Sequence, residues 1–239
     1  MKKRRIMVGL TLSLLAGLLL WTVAHRDAQT AFTVVRPKRF TADTVVIDAG
    51  HGGEDGGAVS QSGTVESQIN LAVARRLDEI FGLYGVDVKM LRTEDAALYS
   101  DGVNTLREKK VSDIHNRVKM IESVPNATLI SIHQNTYPST KFHGAQVFYS
   151  NETLSCPLAQ FVQETLRTVL DPSNNRKAAK ISDSVYLMNH ISCRAILVEC
   201  GFLSNPAEDE LLCTEAYQTK IAAALGAAYL GFTQEEMTS

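Results

Sequence analysis

Three short apolar runs decide what this chain can fold into: Val45-Val46-Ile47-Asp48, Leu129-Ile130-Ser131-Ile132 and Ala195-Ile196-Leu197-Val198. Each is nearly continuous and rich in β-branched residues, as expected of strands buried on both faces of a parallel sheet. Helical patterns between them imply βαβ units. The chain therefore reads as α/β, a single domain with a mostly parallel central sheet flanked by helices. His51 follows the first run, His133 ends the second and Glu199 ends the third. Open α/β sheets bind ligands just beyond the carboxyl ends of their strands. Such a topology gathers these three residues at one edge despite their separation in the chain.

A fourth residue, Glu66, joins them by a different route. It follows the loop Ser60-Gln61-Ser62-Gly63 and opens a helix carrying Ile69, Val73, Leu77 and Ile80 at helical spacing. Thr64 or Ser62 is the expected cap. A right-handed crossover lets the first turn of that helix face the same sheet edge. Two imidazoles and one carboxylate make a complete three-ligand set for a catalytic zinc, and the other carboxylate is then free to activate water. The loop Asp48 to Gly57 holds five glycines in ten residues. No Gly-Lys-Ser/Thr follows it, so a metal loop fits better than a phosphate cradle.

Each residue also has an ordinary explanation. His51 reads as a turn histidine, His133 as a strand-end histidine, and Glu66 as a first-turn acid favoured by the helix dipole. Glu199 resists this treatment, because a carboxylate straight after Ala-Ile-Leu-Val is costly to bury without a partner. His115, His143 and His190 lie in polar or loop-like stretches and are not nominated as ligands.

The motifs Val46-Ile47-Asp48-Ala49-Gly50-His51-Gly52-Gly53, Glu66-Ser67-Gln68-Ile69-Asn70-Leu71, Ser131-Ile132-His133-Gln134-Asn135 and Glu199-Cys200-Gly201-Phe202-Leu203-Ser204-Asn205 stand in that order. Together they resemble the zinc-dependent N-acetylmuramoyl-L-alanine amidases of the type-3 family over roughly Thr44 to Phe232. The resemblance implies that His51, Glu66 and His133 hold Zn2+ and that Glu199 is the catalytic carboxylate. It also implies cleavage of the amide between the muramic lactyl group and L-alanine of peptidoglycan. Ala49, Thr136 and Cys200 depart from the family pattern, none at a proposed ligand. The stretch Arg92 to Arg117, the Tyr186-Leu187-Met188 segment read as a strand, and Gly201 to Pro206 look like the germination-specific enzymes that prepare the muramic δ-lactam of spore cortex. Asn135 is then expected to orient substrate or His133. Arg92, ending a strand expected over Val86 to Leu91, is a candidate for a stem-peptide carboxylate. A zinc peptidase acting on wall peptides, and a non-catalytic wall- or partner-binding protein, are the competing readings. A serine hydrolase is excluded because no Gly-x-Ser-x-Gly elbow occurs.

At the N-terminus, Lys2-Lys3-Arg4-Arg5 precedes Ile6 to Ala24, 19 residues without a charge. At about 1.5 Å rise per residue such a helix nearly spans a hydrocarbon core of about 30 Å. Basic residues ahead of it orient the domain outside, and His25-Arg26-Asp27 is a poor cleavage site. The expected organisation is an anchor over 1–27, a tether over 28–40, a catalytic domain over 41–233 and a tail over 234–239. The protein would thus be exported and membrane-anchored by this helix, with secretion after signal cleavage as the alternative. Beyond residue 30 the chain carries 19 basic and 25 acidic residues, a net charge of −6. Such a domain has no electrostatic footprint for nucleic acid. Cys156, Cys193, Cys200 and Cys213 show no Cys-x-x-Cys spacing, which argues against a second zinc site or a redox motif. The expected partners are peptidoglycan and the membrane, and any accessory protein is left unidentified.

Overall fold

A computed structural model describes residues 43–238, so the expected anchor, the tether and residues 41–42 lie outside the described residues. The strands are β1 (Thr44–Ala49), β2 (Val88–Met90), β3 (Ala127–Asn135), β4 (Gln146–Tyr149), β5 (Ala179–Lys180) and β6 (Arg194–Phe202). The helices are α1 (Glu66–Leu83), α2 (Leu106–Glu122), α3 (Glu152–Leu170), α4 (Tyr186–Asn189), α5 (Pro206–Leu212) and α6 (Glu215–Thr238). They form one sheet of order β2-β1-β3-β6-β4-β5. β1, β2, β3 and β6 run parallel, and β4 meets β6 antiparallel.

The continuous apolar runs follow from this layering. Val45 and Ile47 enter a core shared with α1, α3 and α6, whereas Val46 enters a second core on the face of α2 and α4. Both faces are covered, so no position alternates with solvent. Asp48, Ser131, His133, Leu197 and Glu199 share the α2/α4 face by their period-two spacing along β1, β3 and β6.

Several local expectations are corrected. Neither Ser62 nor Thr64 caps α1, whose N-cap is Val65. The loop's own carbonyls serve instead: Glu66 N donates to Ala58 O at 2.9 Å and Ser67 N to Gly56 O at 3.0 Å. Tyr186 to Asn189 forms a helical turn, not a strand, because Leu187 and Met188 both bury against the second core. The ordered part of the strand expected over Val86 to Leu91 is only Val88–Met90. Helix α2 begins at Leu106, under a capping box between Thr105 and Glu108, a Thr-x-x-Glu signature legible in the sequence. Residues 234–238 are not a separate tail. They complete α6, and Arg194 holds Glu236 at 2.8 and 2.9 Å. Among the described residues, no helix is long and apolar enough to cross a membrane.

Candidate active site

The Gly-rich loop after β1 is clamped from below by two buried arginines. Arg117 of α2 pairs with Asp48, donates to the carbonyls of Ala49 and His51 at 3.1 and 2.8 Å, and reaches Asp113 at 2.5 Å. Ser131 Oγ donates to the other oxygen of Asp48 at 2.7 Å. Burial alone would raise the Asp48 carboxyl, but Arg117 and His133 hold it below the usual range. A buried pair of this kind is costly to break by removing one partner, at about 3–5 kcal/mol.

Arg92 is the second clamp, and this corrects its proposed substrate role. It is only 4% exposed. Its guanidinium donates to the carbonyls of Ala49 (2.8 Å), Gly50 (3.1 Å), Ser67 (2.9 Å) and Glu94 (3.0 Å). All three nitrogens donate to backbone carbonyls, which spends four of the five N–H groups and makes Arg92 a brace for the loop.

Held from beneath, the loop puts His51 in the left-handed region at φ 61°, a conformation histidine adopts more readily than most residues. The structure brings His51, Glu66 and His133 together, with donor atoms all within 4.8 Å of one another. Glu66 Oε1 lies 3.0 Å from His133 Nδ1 and 3.4 Å from His51 Nε2. Its carboxylate is fixed by backbone donors, Gln134 N on Oε1 at 3.1 Å and Ala58 N on Oε2 at 2.8 Å, with Asn70 Nδ2 at 3.3 Å. Burial works to raise Glu66, but its hydrogen bonds to the two imidazoles drive it well below the carboxylate range. For His51, burial opposes the charge and Asp55 and Glu66 outweigh it, raising the imidazole to about 9.

Two glycines make room for this convergence. A Cβ on Gly50 would sit 2.2 Å from His133 Cε1, and one on Gly57 would sit 2.5 Å from Glu66 Oε2. Gly57 also has φ +71°. The glycine density of the loop thus reflects side chains packed directly on backbone.

Glu199 occupies β6 opposite His133 in the parallel register. Its Oε2 is buried without a hydrogen-bond partner among the described residues. Burial pushes its carboxyl up to about 7, with Glu66 adding to the rise and His133 and His51 opposing it. Asn135 ends β3 opposite Phe202, partly exposed at the same edge. Beside His51 and His133 a cleft of about 300 Å³ opens on the α2/α4 face, walled by Lys110, Ile114, Val185, Leu187, Met188 and Leu197. His115, His143 and His190 lie outside the cluster. His115 packs on Tyr186, His143 pairs with Asp171, and His190 bonds to the Tyr186 carbonyl.

The sequence reading missed Asp55. Its Oδ2 is 2.9 Å from His51 Nδ1, and Lys110 Nζ holds its Oδ1 at 2.8 Å. Asp55 accepts the Nδ1 proton of His51, and in the neutral ring Nε2 is then unprotonated and aimed at the cluster, the usual arrangement for a metal-binding histidine. In Asp55→Asn the amide can donate to Nδ1 and favour the wrong tautomer. Zinc affinity is expected to fall about 10–100-fold, the typical weight of such a partner. Competition with a chromophoric chelator measures it, and an unchanged dissociation constant would remove Asp55 from this role.

Buried carboxylates and imidazoles converging at the carboxyl edge of a parallel sheet define a hydrolase-type site. Residues 45–229 match the N-acetylmuramoyl-L-alanine amidase family, and the chain belongs to it. It is 36% identical over 193 residues to the germination-specific N-acetylmuramoyl-L-alanine amidase of Bacillus subtilis, covering 80% of each chain. Identity to the amidase AmiA of Escherichia coli is 25% over 231 residues, covering 79% of this chain and 75% of that one. Among solved structures, the CwlD amidase of Clostridioides difficile, in complex with the GerS lipoprotein, superposes with a TM-score of 0.78. That match has 36% identity and covers 81% of this chain and 99% of the other. The protein is accordingly an N-acetylmuramoyl-L-alanine amidase, a hydrolase of peptidoglycan.

Proposed function

We propose that His51 Nε2, Glu66 Oε1 and His133 Nδ1 hold one zinc ion, and that Glu199 is the general base and acid of the amidase reaction. The observation that carries this reading is Glu66 Oε1, a buried carboxylate oxygen flanked by two imidazole nitrogens at 3.0 and 3.4 Å. Two histidines and one glutamate are a donor set that catalytic zinc sites use. When bound there, zinc supplies Lewis acidity for the scissile carbonyl and for the attacking water. Glu199 takes the proton of that water and delivers it to the alanine nitrogen as the amide breaks. Its lack of a competing hydrogen bond suits this task, and burial keeps its proton affinity close to neutral pH. Asn135, two residues beyond His133 at the same edge, orients the substrate.

The same donors would serve a peptidase, and membership of the amidase family decides for the lactyl–L-alanine amide. Likeness to the Bacillus subtilis germination-specific enzyme supports work in spore cortex, outside the cytoplasmic membrane. Membrane attachment through the N-terminal segment, residues 1–27, completes the picture. An accessory lipoprotein of the kind bound to the Clostridioides difficile enzyme fits it as well.

A metal count on purified protein, with wall digestion before and after chelation, tests the reading. His51→Ala, Glu66→Ala and His133→Ala are each expected to abolish stoichiometric zinc, since three ligands leave no redundancy. Digests should contain peptide-free muramic acid and intact stem peptides. One equivalent of zinc retained in all three variants would sink the ligand assignment.

A further inference from the structure

Beyond β3 the chain crosses towards β4 as a loop over residues 136–145, and two of its rings face solvent. Tyr137 is 54% and Phe142 42% exposed, with centroids 4.7 Å apart in an edge-to-face contact. The loop is tied down along its length. Tyr137 N donates to Ser204 Oγ at 3.1 Å, Asn205 Nδ2 to Phe142 O at 3.2 Å, and Gly144 N to Glu208 Oε1 at 2.9 Å. Phe142 also stacks on Phe202 at 6.3 Å, and Arg176 lies over both rings at 5.9 and 4.5 Å. Exposed apolar surface held this firmly is preorganised for a ligand. Alongside Phe142 runs an open groove of about 320 Å³ lined by Lys141, His143, Ser173, Asn175 and Arg176.

We propose that the Tyr137–Phe142 pair and this groove bind the glycan strand of peptidoglycan next to the bond being cut. The inference rests on the amidase reading and deepens it. A pyranose presents a face of weakly positive C–H groups, and these lie favourably on the negative face of an aromatic ring. Its hydroxyl and acetamido groups need neutral partners: the Asn175 amide can donate and accept, and the Ser173 hydroxyl, whose proton goes to Asp171 Oδ1 at 2.6 Å, can accept. Two of the groove's three cationic or titratable side chains are engaged within the protein, His143 on Asp171 at 3.0 Å and Arg176 on His143 O and Gln146 Oε1, both at 2.9 Å, and Lys141 is the third. Position favours the same occupant. Tyr137 is four residues past His133, at most about 14 Å along an extended chain. The loop is fastened to α5 and its approach, whereas the cleft containing Lys110 opens on the α2/α4 face. A scissile amide has two arms that must diverge. The cleft suits the peptide and the ring platform suits the sugar.

The test compares wild type, Tyr137→Ala/Phe142→Ala and Phe142→Leu in zinc-loaded protein. kcat/KM is measured on long glycan strands bearing stem peptides and on a single disaccharide-peptide, and calorimetry follows binding of peptide-free glycan strands. The double variant is expected to lose about 10-fold on the polymer and in glycan affinity, the combined weight of two ring contacts. Zinc content should stay at the wild-type level, and the disaccharide-peptide, which reaches only the part of the platform nearest the bond, should lose less than the polymer. Phe142→Leu keeps apolar volume without the ring and should fall part of the way. Glycan affinity within twofold of wild type in the double variant overturns the proposal, as does an equal loss on both substrates. Binding to peptide-free strands needs no turnover, so failure of the amidase reading would show in the kinetic arm alone.

Discussion

Glu199→Gln is expected to lower turnover about 10²–10⁴-fold, the usual weight of a general base, while zinc stays bound. Glutamine keeps the shape of the side chain but cannot accept the proton of the attacking water. Stability gives a second readout in the metal-free protein. The Glu199 carboxyl is raised from an ordinary 4.5 to about 7 by burial. A raised carboxyl is neutral in both folded and unfolded states below pH 4.5, so it has no effect there. Between about 4.5 and 7 the unfolded chain ionises and the folded one resists, so this group withdraws stability as pH rises. At about 1.4 kcal/mol per pKa unit the loss amounts to about 3 kcal/mol above pH 7. The glutamine variant lacks this fall, so its melting temperature should gain on wild type between pH 5 and pH 8. A folded, zinc-loaded variant with wild-type turnover would remove Glu199 from the mechanism. Parallel pH–stability curves would show that its carboxyl is not raised.

Gly50→Ala is expected to be nearly as damaging through a single methyl group. Gly50 has no positive φ, so alanine is acceptable to the backbone and the effect is steric. The new Cβ would stand 2.2 Å from His133 Cε1 and 2.3 Å from Nε2. Any retreat would take the His133 ring, 5.0 Å from the His51 ring and held at Nδ1 by Glu66, out of the cluster. Zinc content and activity should be lost together, with a destabilisation of about 1–3 kcal/mol from overpacking. Gly63→Ala is the control. Its Cβ would meet nothing within 4 Å, although φ is +91°, so it should cost some stability and leave zinc and turnover intact. A Gly50→Ala enzyme with normal zinc affinity would refute the close packing of His133 on this loop.

How much of this was legible depended on the kind of interaction involved. Strands β1, β3 and β6 announced themselves because burial on two faces writes unbroken Val-Ile-Leu runs. The four candidate residues could be nominated because His51 follows β1, Glu66 opens α1, and His133 and Glu199 close the apolar runs of β3 and β6, although both strands continue past them. The clamps could not be seen in this way. Arg92 and Arg117 look like any strand-end or helical arginine until the carbonyls of Ala49, Gly50 and His51 are placed above them. Asp55 is one more acid in a polar loop until Lys110 and His51 close on it from two sides. The α1 N-terminus misled because backbone carbonyls of Gly56 and Ala58 do the work of a capping side chain. Residues 234–239 read as a tail, although Gln234 to Met237 are sound helix formers with Glu236 held by Arg194.

The sheet order has a consequence for how the protein matures. β3 lies between β1 and β6, and His51, His133 and Glu199 belong to these three strands or their ends. Their pairings join distant parts of the chain, so they form late and slowly compared with local helices. The ligand cluster therefore has no precursor in any isolated hairpin or helix pair. On the proposed ligand assignment, zinc would capture the finished sheet and would not template its early collapse, so added zinc should retard unfolding without hastening the rate at which the denatured chain first folds.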